Sequence, residues 1–388
     1  MGDEKKALRV LLLTSSPLEG HEGADKQLAA AIANGISQAE YAWFTRWPGD
    51  GKPRLAHGRP IPLLSRNGVP RLPERFQVTA AGAVLARRAD LVHAVMTIGA
   101  GFPIFSRLGR YLLGDRPVIH TVPGVRDMGL LEATRPLGVT VALSDTTASE
   151  LRATGFGDVR VIPPAVALER WPCQPRPGGM PVVLFAGHHD AGGGAPEALA
   201  AAGAAARASG AQFRLVLAMR GRPGQDLRSL NHGLMVQARQ EALSQVEIVG
   251  HVSDMDRLLA AADVLLFPPT ALSGKADVPL TVLEAMATGR PVILSDLPQF
   301  AVLGDAVLRA PAGNSNLTGG LLATLLDQPL YWNAVAEKGR ATVEENFGPE
   351  HFAEQYLQLY QEVMYKFGSG IRGVQPSGLG DAAYEYRG

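Results

Sequence analysis

The chain has 388 residues, 46% of them apolar and 19% charged, with Lys+Arg and Asp+Glu both at 37. That length accommodates two ordinary domains, each with its own core, and the balanced charge gives no sign of a nucleic-acid partner. A single cysteine, Cys173, excludes an intrachain disulfide and points to a reducing compartment, and no apolar run approaches the ~18 residues of a membrane span.

From the N-terminus, LRVLLLTS (8–15) reads as a first core strand; it is short for a signal peptide and contains Arg9. Gly20 and Gly23 then make a loop, with a helix from Ala24 onward. Glycine lets the backbone approach a ligand closely, and the helix N-terminus behind it favours negative charge. The pattern is neither the six-position dinucleotide fingerprint nor a Walker loop, so an ordinary strand-to-helix turn is equally consistent with it. DLVHAV (90–95), PVIHTV (117–122), VTVALS (139–144) and VRVIPP (159–164) continue the series of apolar strands. His93 and His120 fall near strand ends, where a cleft-facing loop would begin; a structural histidine is the plain alternative. FPIFSRLGRYLLGDRP (102–117) mixes apolar residues with Arg107, Arg110 and Arg116, as a membrane-surface helix or an ordinary amphipathic helix does. Thr147 with Glu150 reads as a helix cap.

RWPCQPRPGGMP (170–181), with four prolines and two glycines, cannot be a regular element and divides the chain into halves. The strands resume with PVVLFAG (181–187), FRLVLAM (213–219), VEIVGHV (246–252), DVLLFPP (263–269) and PVILSD (291–296). Continuous apolar runs without polar alternation belong to strands covered on both faces. Strand and helix alternating through both halves predicts two doubly wound α/β units, with ligand sites at the carboxyl ends of the strands. His188 and His189 follow one such end without metal-ligand spacing, and no metal site is expected. SDMD (253–256) reads as a cap rather than a metal motif.

DVPLTVLEAMATGRPVI (277–293) begins with Asp277 as N-cap and Pro279 in the first turn; Gly289 ends the helix and Pro291 opens a strand. The helix start would face an anion such as phosphate. Glu284, among apolar neighbours, lies where its carboxylate could reach vicinal hydroxyls of a ribose; a solvated or arginine-paired glutamate is the alternative. Phe352, Tyr356, Leu359, Tyr360 and Val363 mark a terminal amphipathic helix, and the residues after it lack apolar periodicity and are expected to be mobile.

The run from VEIVGHVSDMDRLLAAADVLLFPP through PLTVLEAMATGRPVILSD, supported by EGHEGADKQLAAAIA, DLVHAV, PVIHTVPG and DVRVIPPAVALERW, resembles the family 4 glycosyltransferases, and the resemblance extends to about residue 367. It implies the α/β GT-B fold: two Rossmann-like domains facing across a cleft, with a C-terminal helix crossing back. The expected division is an acceptor-side domain at 1–171, a nucleotide-sugar domain at 172–346, the crossover helix at 347–367 and a flexible tail at 368–388. It also implies hexosyl transfer from a nucleoside-diphosphate sugar to an acceptor hydroxyl with retention of configuration, needing neither metal nor cofactor. The acceptor (lipid, glycan or small metabolite) is not legible. The expected location is the cytoplasm, with contact at the inner face of the membrane left open.

Carried over by position, Glu284 matches the second glutamate of the family's pair and would hold the ribose hydroxyls. Leu280 and Thr281 would turn their amides to the diphosphate, and Gly23 would lie near it. Gly20, Gly187, His188 and Pro279 complete the donor-binding set, and His93, His120 and Asp277 are the candidate catalytic contacts. Four departures stand against this. Ala276 occupies the place of the first glutamate, His188 and Gly193 those of an arginine and a lysine that clamp the diphosphate, and Pro123 that of a histidine. They keep two alternatives open: a catalytically degenerate GT-B protein that binds a nucleotide or partner, and a sugar-nucleotide epimerase.

Overall fold

The computed structural model describes residues 7–15, 17–18, 23–46, 55–64, 72–222, 224–272 and 275–368. Gly20 and the tail beyond Gly368 lie outside the described residues.

Among the described residues, seven strands make the first sheet: β1 (Leu8–Thr14), β2 (Ala39–Arg46), β3 (Gly58–Leu64), β4 (Leu91–Val95), β5 (Val118–Val122), β6 (Val139–Ala142) and β7 (Val159–Val161). Six make the second: β8 (Val182–His188), β9 (Arg214–Arg220), β10 (Val246–Val249), β11 (Val264–Phe267), β12 (Val292–Ser295) and β13 (Leu308–Ala310). The helices are α1 (Ala24–Gly35), α2 (Leu72–Ala86), α3 (Phe102–Leu113), α4 (Leu130–Ala133), α5 (Asp145–Ala153), α6 (Ala195–Ser209), α7 (Leu227–Gln240), α8 (Met255–Ala261), α9 (Leu280–Ala287), α10 (Ser315–Asp327), α11 (Pro329–Asn346) and α12 (Pro349–Lys366).

The sheet orders are β3-β2-β1-β4-β5-β6-β7 and β10-β9-β8-β11-β12-β13. Every paired strand is parallel. Each sheet therefore reverses direction of winding once, at β1/β4 and at β8/β11, and a crevice opens beyond the strand ends at such a point. The central strands are buried along their length: β4 and β5 show no exposed position, nor does β11. That is the physical counterpart of their uninterrupted apolar sequence.

Strands β2, β3 and β13 carry weaker signals. β3, GRPIPLL, holds two prolines and sits at the sheet edge, where a missing N–H does least harm. β13 has only three residues.

Among the described residues several contacts join the halves, α12 and the segment at 275–277 among them. α12 packs on the first sheet's core, with Phe352, Tyr356, Leu359, Tyr360 and Val363 buried among Leu12, Ile32 and Trp43. The segment at 275–277 makes another junction. Asp277 N–H donates to the Pro123 carbonyl at 3.0 Å, and Ala276 is buried in the first sheet's core. The approach is close enough that a Cβ on Gly124 would stand 1.9 Å from the Lys275 carbonyl oxygen.

Three capping expectations are corrected. Asp277 does not cap α9; the helix starts at Leu280 behind Pro279, without a side-chain cap. Its carboxylate is drawn instead to the first domain, where Ser144 Oγ donates to it at 2.8 Å. Ahead of α8, SDMD supplies no side-chain cap bond. At α5 the cap is Ser144, which accepts from Thr147 N–H at 3.2 Å, so Thr147 is a capped residue rather than the cap.

The outward stripe of α3 is unusual for a surface helix. Ile104, Leu108 and Tyr111 are 66%, 54% and 88% exposed, spaced as one helical face. Among the described residues no helix is long and apolar enough to cross a membrane.

Candidate functional site

A cavity of about 600 Å³ lies between the two sheets, lined from both, a size suited to a small organic ligand. The first domain contributes Gly23, Asp25, Thr97 and Pro123; the second contributes Gly187, His188, Pro279, Leu280, Thr281 and Glu284. The described donor-side residues expected from sequence thus converge on one cavity, although they come from three separate segments of two domains.

The topology accounts for this convergence. Gly23 closes the β1–α1 turn with φ 105°, a backbone conformation that suits glycine and costs other residues. Gly187 and His188 end β8, and α9 follows β11, so all lie at the two switch points.

Within α9, Val282, Leu283, Ala285, Met286 and Ala287 are buried against the second core. Glu284 takes the remaining face and turns to the cavity. Burial pushes its carboxyl up to about 7, opposed by the charge of Arg170. Among the described residues none donates a hydrogen bond to that carboxylate. An acceptor held in this way is suited to hydroxyl donors from a ligand, and the apolar surroundings make each such bond stronger than in water.

The cavity is also cationic. Lys275, Arg170, Arg220 and Arg222 all line it. Arg222 is occupied: it holds Asp190 by two bonds at 2.5 and 2.7 Å. Arg220 Nη2 contacts His251 Nδ1 at 3.1 Å. Lys275 Nζ donates to the Gly193 carbonyl at 3.2 Å. None of these cations stands in the motif where sequence comparison would seek a clamp. The signal available was only that basic residues end β9 and precede α9, which many surface segments share.

His188 lines the cavity but does not replace a lost cation. Burial pushes it down to about 4, and Arg222, Arg220 and Lys275 act in the same direction against Asp190. It is a neutral imidazole at neutral pH.

The three residues expected to be catalytic are not among the cavity's lining, and each has another occupation. His93 is fully buried. Its Nδ1 meets Tyr360 Oη at 2.7 Å and its Nε2 meets Thr121 Oγ1 at 2.8 Å. Thr121 in turn meets Tyr356 Oη at 2.9 Å, so His93 ties the crossover helix α12 to the sheet. His120 is buried too, stacked on Phe102 at 4.7 Å, with Nε2 toward the Met96 carbonyl at 3.0 Å. Side chains alternate across a strand, and both rings turn into packed layers rather than beyond the strand ends. Asp277 points away from the cavity into the junction with Ser144.

Among the described residues no group of three or more His, Cys, Asp or Glu side chains is arranged to hold a metal ion.

Residues 180–327, which carry β8 through α10, match the family described as Glycosyl transferases group 1. N-acetyl-alpha-D-glucosaminyl L-malate synthase of Bacillus anthracis is 30% identical over 124 residues, and that stretch spans 31% of each chain. Anabaena HepE, solved in complex with UDP and glucose, is 15% identical and superposes over 92% of this chain and 100% of its own, with a TM-score of 0.73. Sucrose-phosphate synthase from Thermosynechococcus elongatus is 20% identical, over 93% of this chain and 100% of its own, at 0.74. The fold is GT-B.

Proposed function

We propose that the protein is a glycosyltransferase that moves a hexosyl group from a nucleoside-diphosphate sugar to an acceptor hydroxyl, with retention of configuration. The observation that carries the reading is Glu284 on α9, a carboxylate with no hydrogen-bond donor among the described residues, lining one inter-domain cavity together with a free helix N-terminus. The carboxylate would accept from the ribose hydroxyls while the Leu280 and Thr281 amides face the diphosphate. Negative charge grows on the departing diphosphate as the sugar leaves. Amides and cations already aimed there stabilise that charge without reorganising. In this reading the protein's own positive groups neutralise the diphosphate, and neither metal nor cofactor is needed. Retention and the hexosyl class rest on the sequence resemblance to family 4.

UDP is the first nucleotide to test, since HepE was solved with it. In a thermal-shift screen of UDP, GDP, ADP, TDP and CMP, one diphosphate is expected to raise the melting temperature by mass action, equally with and without magnesium. A flat response to all of them sinks the reading in favour of a GT-B protein without transfer activity.

We propose further that α3 rests on an anionic membrane surface, which would present a lipid acceptor or hold the enzyme beside one. Ile104, Leu108 and Tyr111 form its exposed apolar stripe with Arg107 among them, and Phe76 and Val84 of α2 are exposed on the neighbouring helix. Apolar residues beside arginine suit the interfacial region of an anionic bilayer. Cosedimentation with phosphatidylglycerol vesicles is expected, with loss on replacing Ile104, Leu108 and Tyr111 by serine. Wild-type protein that stays in the supernatant overturns it.

A further inference from the structure

The β8–α6 loop, GHHDAGGGA, is short of side chains where an anion would lie, yet the space is not empty. A Cβ placed on Gly193 would stand 3.2 Å from the ammonium of Lys275, a residue 82 positions later in the chain. The same Cβ would stand 2.8 Å from the Asp190 carbonyl oxygen and 3.1 Å from that of His188. Gly193 therefore leaves no room for its own side chain, and a lysine head from another element rests on its backbone.

Lys275 is held there from both ends. Its backbone belongs to the junction on the first domain, where its carbonyl lies against Gly124. Its side chain crosses to the second domain, passing over the Phe267 ring at 5.7 Å and donating to the Gly193 carbonyl at 3.2 Å. A lysine head carries three N–H donors and a full charge, and one carbonyl satisfies neither. The nearby acid Asp190 is engaged by Arg222, and the charges of Asp190 and Glu197 favour the ammonium without forming an ion pair with it among the described residues. A half-buried ammonium with no contacting carboxylate is well placed for an anion to complete it. The cavity that this ammonium lines also contains the start of α9.

We infer that Lys275 is the diphosphate-binding cation of this cavity, supplied from the segment ahead of α9 to the loop at Gly193. The inference rests on the donor reading above and names the residue that makes the site selective for a diphosphate over a nucleoside.

Calorimetric titration of UDP, pyrophosphate and uridine into wild type, Lys275→Met and Lys275→Arg tests this. Lys275→Met is expected to lose about tenfold or more in affinity for UDP and pyrophosphate, the range of a charge-assisted bond, with uridine unchanged. Lys275→Arg, which keeps the charge, is expected to retain most of the diphosphate affinity and so to separate lost charge from misfolding. Equal losses for UDP and uridine, or no loss for either diphosphate, overturn the role of Lys275 while leaving the donor reading intact. Wild-type protein that binds neither UDP nor pyrophosphate overturns both.

Discussion

Replacing Glu284 with alanine is expected to weaken nucleoside-diphosphate binding at least about tenfold, or ~1.4 kcal/mol. The carboxylate has no hydrogen-bond donor among the described residues and faces the cavity from a helix whose other faces are packed. Its contacts are therefore those a ligand brings, and its loss falls on binding rather than on the core. The effect should depend on pH. Burial raises this carboxyl to about 7, and the ionised form is the stronger acceptor for vicinal hydroxyls. Affinity is expected to fall as pH drops through about 7, and Glu284→Gln should flatten that profile at the lower, acidic level. Calorimetry from about pH 6 to 8 reads both effects. Unchanged affinity in Glu284→Ala removes α9 from the donor site.

The second large effect concerns the junction. Asp277 is 3% exposed, accepts from Ser144 Oγ at 2.8 Å, and is pushed up to about 6 by burial. A carboxyl whose folded value lies above its unfolded value favours folding most when protonated. Its contribution is fully present below the unfolded value, near 3.8, and is lost as pH rises through about 6. Asparagine keeps an oxygen for Ser144 and removes the ionisation. Asp277→Asn is thus expected to be more stable than wild type at about pH 8, by an amount on the order of 2–3 kcal/mol, to keep about half of that advantage near pH 5, and to lose it only below about pH 4. Melting both proteins across this range decides it. Parallel curves at every pH would mean that Asp277 does not bury its charge.

Apolar continuity marked the central strands of both sheets, because a strand covered on both faces has no polar alternation to hide it. The same reasoning left β2, β3 and β13 unseen: an edge strand with two prolines and a strand of three residues owe their pairing to neighbours. Glu284 was legible because a carboxylate inside VLEAMA is a local anomaly, and Gly23 because a glycine ahead of a helix is a local signal. His93 and His120 looked equally anomalous, but whether a strand residue faces a cavity or a packed layer depends on the pleat and on what covers it. Here α12, some 260 residues after His93, supplies Tyr360 to satisfy that ring. Asp277 shows the same limit. Its sequence position suits a cap, and only the docking of the first domain gives it Ser144 as a better partner. The sequence by itself determined the two parallel α/β units and the α9 glutamate, since periodicity and composition act within a dozen residues. Tertiary structure decided which polar groups meet in the cleft, because Lys275, Arg220 and His188 come from separate segments whose convergence is set by strand order and domain docking.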